Sequence, residues 1–219
     1  MPDDLPAALK TALTAQPLHR VEVGRQRRAA VLIPVVGAEQ PALVFTVRTT
    51  TLSSHAGQIS FPGGSVDLGD PSAEAAALRE AHEEIGMRPE DVVLLGALDA
   101  LPTFVSGYVI EPFVGWLKKM PALSPNPLEV SEILVVPLND IAEGIRREPG
   151  FSHAGRTYPT EAWIWREHVI WGVTARILRL LLLKLADAGL AERPEGDPKW
   201  VADVAPTRER RFRDGGVET

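Results

Sequence analysis

The chain has 219 residues, no cysteine and a formal net charge of -6, with 45% hydrophobic and 24% charged residues. These values exclude disulfides, thiolate catalysis and Cys-ligated zinc, and they argue against a general nucleic-acid binder, which needs a basic face. They leave room for a small anionic substrate, because a bound cation can reverse the local sign. The length suits one domain with a small appendage and a sizeable core, and the lack of cysteine fits a cytoplasmic protein.

Residues 4 to 15 read as a helix with Leu5, Leu9 and Leu13 on one stripe. Early acids and polar interruptions make this start unlike a secretory signal. The basic stretch Arg25 to Arg28 precedes a β-branched run, RAAVLIPVVG, that reads as a strand. Residues 38 to 41 read as a turn and Ala42 to Arg48 as a second strand. A Ser/Thr/Gly-rich loop, 49 to 60, leads to Phe61-Pro62-Gly63-Gly64.

Residues 71 to 85 give the clearest helix, with Asp70 as its cap, Pro71 at the first position and Gly86 at its stop. Strands are expected at 91 to 98, 108 to 117 and Ile133 to Pro137, then a short helix from Leu138 to Arg147. A hairpin over 149 to 165 would hold Tyr158, Trp163 and Trp165, and a long helix would run from His168 to Leu190. Its apolar part contains Arg176, Arg179 and Lys184, too many charges for a membrane span, so a buried or partner-facing helix is expected and no membrane. The tryptophans Trp163, Trp165 and Trp171 read as core. Residues 191 to 219 are rich in charge and proline and read as a loose extension. Interspersed strands and helices give a mixed α/β class.

The informative segment runs from Gly63 to Met87. On a helix, Glu80, Glu83 and Glu84 lie at i, i+3 and i+4 and share a face, while Leu78, Ala81 and Ile85 lie on another. Gathering like charges costs a few tenths of a kcal/mol per pair on an isolated helix. A hard divalent cation removes that cost, and Mg²⁺ or Mn²⁺ takes such oxygen ligands. Arg79, four residues before Glu83, can hold one carboxylate in place. The Gly63-Gly64 pair lets the backbone approach a metal or phosphate closely. The alternative for the acidic face is a solvated surface.

This segment resembles the Nudix box: Gly, five residues, Glu, seven residues, Arg-Glu, an aliphatic residue, any residue, Glu-Glu, any residue, Gly and an aliphatic residue. Arg79, Glu80, Glu83, Glu84, Gly86 and Met87 match, and Ala81 is small where a larger aliphatic is usual. From Gly64 to Arg79 there is one residue more than the pattern. No Glu stands at the early position, where Asp67, Asp70 and Glu74 are the nearby acids. The lengthened loop is similar to that of coenzyme A diphosphatases in this family. So is the run Arg48-Thr49-Thr50-Thr51-Leu52-Ser53-Ser54-His55-Ala56-Gly57-Gln58-Ile59-Ser60 before it. Further likenesses are Leu101-Pro102-Thr103, Ser106-Gly107-Tyr108 with Pro112-Phe113-Val114-Gly115, Asn126-Pro127 with Glu129-Val130, and Ile170 to Ala175.

The resemblance implies a Nudix-type α/β/α sandwich with a mixed sheet over residues 28 to 190, preceded by a helical lead-in, 1 to 27, and followed by the 191 to 219 extension. It implies a hydrolase that uses Mg²⁺ or Mn²⁺, held by Glu80, Glu83 and Glu84 with the carbonyl of Gly63 or Gly64, and with Arg79 orienting the carboxylates. The general base would be Glu83, Glu129 or Glu132. Arg48, His55 and Gln58 are candidate substrate contacts, as are Arg25, Arg27 and Arg28, each with an ordinary surface role as its alternative. The implied substrate is coenzyme A, the products 3',5'-ADP and 4'-phosphopantetheine, and the chain a monomer or homodimer. ADP-ribose or a dinucleotide is the competing substrate, since Pro102 lies fifteen residues past Met87, a spacing associated with ADP-ribose hydrolases. A binding module without catalysis is the competing class, disfavoured because all three glutamates are present.

Overall fold

A computed structural model describes residues 4–15, 17–18, 26–37, 40–49, 57–103, 107–141, 146–148, 151–153, 156–158 and 162–194. Helix α1 spans Leu5–Thr14 and buries Leu5, Leu9 and Leu13 as the stripe predicts. Strands β1 (Arg27–Val36), β2 (Ala42–Arg48), β3 (Ile59–Ser60) and β4 (Gly63–Ser65) follow. After them come α2 (Ala73–Ile85), β5 (Val93–Ala97), β6 (Leu101–Pro102), β7 (Tyr108–Leu117) and β8 (Val130–Pro137). The C-terminal part holds β9 (Arg146–Glu148), β10 (Phe151–His153), β11 (Arg156–Tyr158), β12 (Ala162–Trp165), β13 (His168–Trp171) and α3 (Gly172–Asp187).

β1 to β8 form one mixed sheet of eight strands. β1 pairs in parallel with β7 along its whole length and antiparallel with β2 and β4. β8 lies antiparallel along β2. The period of two in β1 sorts its side chains between two cores. Ala30, Leu32 and Val36 pack with Ala73, Ala76, Ala77, Ala81 and Ile85 of α2. Ile33 and Val35 face the opposite way, into a core shared with α1 and α3. The result is an α/β/α sandwich. The alanines matter for the site, because a helix with small side chains can lie close to the sheet. No helix among the described residues is long and apolar enough to cross a membrane.

Several expected boundaries are corrected. α2 begins at Ala73, and its cap is Ser72, whose Oγ accepts from the Ala75 N–H at 3.2 Å; Asp70 is engaged elsewhere. Gly86 does end the helix, at φ 69°. Of the helix expected from Leu138 to Arg147, residues 138–141 are helical, while Arg146–Glu148 is strand, because its backbone pairs with β12. The hairpin expected over 149 to 165 is two hairpins, β10–β11 and β12–β13. The last helix starts at Gly172 rather than His168. Residues 168–171 pair with β12 across a tight turn in which Arg166 takes φ 56°. Trp163 and Trp165 are core residues, with indole N–H groups donating to the Ala175 carbonyl at 3.1 Å and to Asp140 Oδ2 at 2.9 Å. His55, Arg25 and most of the 191 to 219 extension lie outside the described residues.

Candidate active site on the carboxylate helix

The glycine pair sits where β4 meets both β1 and α2. A Cβ on Gly63 would fall on the Ala30 carbonyl and at 2.6 Å from the Val31 Cα. A Cβ on Gly64 would stand 2.5 Å from the Glu80 Cδ and 2.6 Å from each carboxylate oxygen. The Glu80 carboxylate therefore lies directly on the Gly64 backbone, an approach that only glycine permits. Gly64→Ala is expected to fold with little change in Tm, because the clashing group is the far end of a movable side chain. Turnover should fall roughly ten- to hundredfold as Glu80 is pushed aside. An unchanged kcat in steady-state assays would show that the position of Glu80 is not required.

Arg79 is the hub of the loop. Its Nε and Nη2 grip Asp70 at 2.9 and 3.0 Å, Nη2 donates to the Ser65 carbonyl at 3.1 Å, and Nη1 reaches Glu80 at 3.0 Å and Glu83 at 3.1 Å. The Arg79 fork holds the Asp70 carboxyl below its ordinary value, helped by the Asp67 N–H. Arg79 itself is pushed up, first by Asp70. Asp70, which its position before the helix marks as a cap candidate, serves Arg79 instead. No local periodicity signals its pairing with Arg79, because Asp70 lies outside the helix.

Glu84 is 2% exposed. Burial raises its pKa to about 7, against the Gly63 N–H, which donates to it at 3.3 Å, and against Arg48, whose Nη1 stands at 3.8 Å; Glu80 and Glu129 push it further up. Glu80 is raised too, chiefly by burial, with Arg79 opposing and Glu83 and Glu129 reinforcing. The fields of Glu80, Glu84 and Glu129 thus overlap. Glu83 is different: its side chain is 54% exposed and paired with Arg79. Among the described residues, no three acidic or histidine side chains close into metal-holding geometry. The donor set around Gly64 and Glu84 is nevertheless all hard oxygen, crowded with negative charge, and fits a hard divalent cation.

Arg48 ends β2 at a register shift in the β2–β8 ladder, with its backbone N–H on the Gln58 carbonyl at 2.9 Å. Arg48 and Gln58 are therefore neighbours, and Arg48 faces the carboxylates. Glu132 is exposed on β8, opposite Val47. Arg28 pairs with Glu111 at 2.7 Å and Arg27 lies over the Tyr108 ring at 4.2 Å, so both have local partners. The Pro102 carbonyl accepts from Arg176 Nη1 at 3.2 Å, which gives Pro102 a structural contact with α3.

A mixed α/β/α sandwich with an arginine-braced glutamate helix facing a glycine loop defines a class, and a NUDIX domain model matches residues 26–158. The chain belongs to the Nudix family. It is 37% identical over 166 residues to the protein named uncharacterized Nudix hydrolase NudL of Pectobacterium atrosepticum, covering 75% of this chain and 86% of that one. It is 41% identical over 172 residues to the protein of the same name from Salmonella paratyphi B, covering 75% and 85%. The fold is similar to that of a MutT/nudix family protein from Enterococcus faecalis, with a TM-score of 0.52, 16% identity, and coverage of 83% of this chain and 69% of that one. The chain is a Nudix pyrophosphohydrolase, acting on a nucleoside diphosphate derivative.

Proposed function

We propose that the substrate is coenzyme A or one of its derivatives, cut at the diphosphate to give 3',5'-ADP and 4'-phosphopantetheine with Mg²⁺ or Mn²⁺. The observation that carries the metal-dependent reading is Glu84: a carboxylate 2% exposed, held by the Gly63 N–H, with Glu80 and Glu129 acting on it. Carboxylates crowded and buried in this way are relieved by protonation, by an arginine or by a cation, and a hard divalent cation relieves them while leaving every carboxylate ionised at neutral pH. The choice of coenzyme A rests on the run from Arg48 to Gly64 and its likeness to the coenzyme A diphosphatases.

In this reading Glu80, Glu83, Glu84 and the Gly64 carbonyl would hold the cation, and the chemistry it would supply when bound is neutralisation of the diphosphate charge and a more acidic water. Arg79 fixes the orientation of Glu80 and Glu83 through its grip on Asp70. Arg48 offers its charge to the substrate phosphates, with Gln58 beside it and His55 in the adjoining loop. Glu129 accepts the proton of the attacking water, favoured over Glu83, which Arg79 engages, because its charge acts on both Glu80 and Glu84; Glu132, exposed on β8, is the remaining candidate.

Incubation of the purified chain with Mg²⁺ and a panel of coenzyme A, acetyl-coenzyme A, ADP-ribose and dinucleotide diphosphates, followed by product analysis, tests this. Coenzyme A forms should turn over fastest and a chelator should stop the reaction. Faster turnover of ADP-ribose would replace coenzyme A as the substrate, and cleavage undiminished in chelator would remove the metal from the reading.

A further inference from the structure

We propose that Asn126 is a positioning residue that aims Glu129 at the carboxylate helix, which rests on the reading of Glu129 as the proton acceptor. The loop Ser124 to Val130 is fastened to the end of α2. The Ser124 N–H donates to the Ile85 carbonyl at 2.9 Å and the Asn126 N–H to the Glu84 carbonyl at 2.8 Å. These are carbonyls of a helix's last turn, which have no partner within the helix. One backbone bond thus ties Asn126 to Glu84, the buried carboxylate at the centre of the site.

From that anchor Asn126 builds the turn that presents Glu129. Its carbonyl accepts from the N–H groups of Glu129 at 3.0 Å and Val130 at 2.8 Å, and its side-chain Oδ1 accepts from the Leu128 N–H at 3.1 Å. Asn at the first position and Pro127 at the second are the residues such a turn favours, because an Asn side chain can mimic a backbone acceptor and proline presets φ. Packing does not hold the tip, since Leu128 is 77% exposed. On the far side the Thr49 N–H donates to the Glu129 carbonyl at 2.9 Å, next to Arg48. The Glu129 backbone is therefore held from two directions, and its charge reaches both Glu80 and Glu84. Removing the Asn126 side chain frees the Leu128 N–H and loosens the turn on one of the two sides from which the Glu129 backbone is held.

The test is a double-mutant cycle on kcat and KM with Mg²⁺ and whichever of coenzyme A or ADP-ribose the wild-type chain cleaves faster. Asn126→Ala should lower kcat roughly ten- to hundredfold and leave KM within about twofold. Asn126→Asp keeps the Oδ1 acceptor and should recover most of that loss. In the Glu129→Gln background, Asn126→Ala should change kcat by less than about twofold, because its effect passes through Glu129. An equal loss in both backgrounds would overturn the proposal and leave Asn126 a residue of the fold alone. A Glu129→Gln enzyme with wild-type kcat would instead reject the reading of Glu129, and the proposal with it. Urea denaturation accompanies every variant. Should Asn126→Ala lose its fold, Asn126→Ser, a weaker turn acceptor, carries the same cycle.

Discussion

Glu84→Gln should lower kcat by roughly a thousandfold, as expected for losing several kcal/mol of metal-borne charge stabilisation, while making the metal-free protein more stable at pH 8. The stability arm follows from linkage. The Glu84 pKa in the fold is raised from 4.5 to about 7. A raised pKa means that the folded state holds the proton more tightly than the unfolded one. The associated stability is present below pH 4.5 and lost as the pH rises through about 7. Above that, wild type carries a buried charge whose cost is on the order of 3 kcal/mol. Glutamine keeps an oxygen for the Gly63 N–H and removes the charge, at the loss of attraction to Arg48. Urea denaturation in chelator should therefore favour Glu84→Gln by roughly 1 to 3 kcal/mol at pH 8, with the difference vanishing near pH 4.5. Mg²⁺ at about a thousand times Kd should reverse the order, since wild type then gains about 4.1 kcal/mol. A variant less stable than wild type at pH 8 in chelator would sink this account of the buried carboxylate.

The second large effect is expected at Arg79. Its guanidinium makes two bonds to Asp70 while reaching Glu80, Glu83 and the Ser65 carbonyl. Lysine is a single point charge and cannot span these partners at once. Arg79→Lys should lower kcat roughly ten- to hundredfold with the fold retained. Asp70→Asn should show a smaller loss in the same direction, because it weakens one side of the fork. The two losses should be less than additive, since both act through the placement of Glu80. If Arg79→Lys matched wild type, the network would be no more than a partly exposed ion pair of small energetic value.

The mixed α/β class was legible in the interspersed strand and helix patterns, and the sandwich in the family likeness. Leu5, Leu9 and Leu13 fall on the buried stripe of α1, whereas the unbroken apolar run of β1 reads as a strand without showing that Leu32 and Ile33 enter opposite cores. Gly86 marks the end of α2 because a left-handed residue is needed there. Element ends that depend on long-range pairing were less legible. Residues 168–171 carry helix-compatible apolar spacing, yet their backbone bonds go to β12, and only Gly172 lets the chain turn into α3.

The carboxylate helix divides in the same way. The spacing of Glu80, Glu83 and Glu84 fixes that they share a side of α2, since helical geometry is local. It does not fix which of them is buried. The fold decides that, by laying Glu80 on Gly64, placing Glu84 under the Gly63 N–H and leaving Glu83 with Arg79 in solvent. Nor does spacing show that Glu129, far along the chain, acts on the same group. That depends on backbone bonds from Ser124 and Asn126 to the end of α2 and from Thr49 at the end of β2. The sequence by itself determined the helix, its charge and its family likeness, because these follow from neighbours within a turn or two. Tertiary structure alone decided which glutamate is buried and which distant groups, Asp70, Arg48 and the Gly63 N–H, meet the helix, because desolvation and long-range hydrogen bonding depend on residues that local periodicity does not bring together.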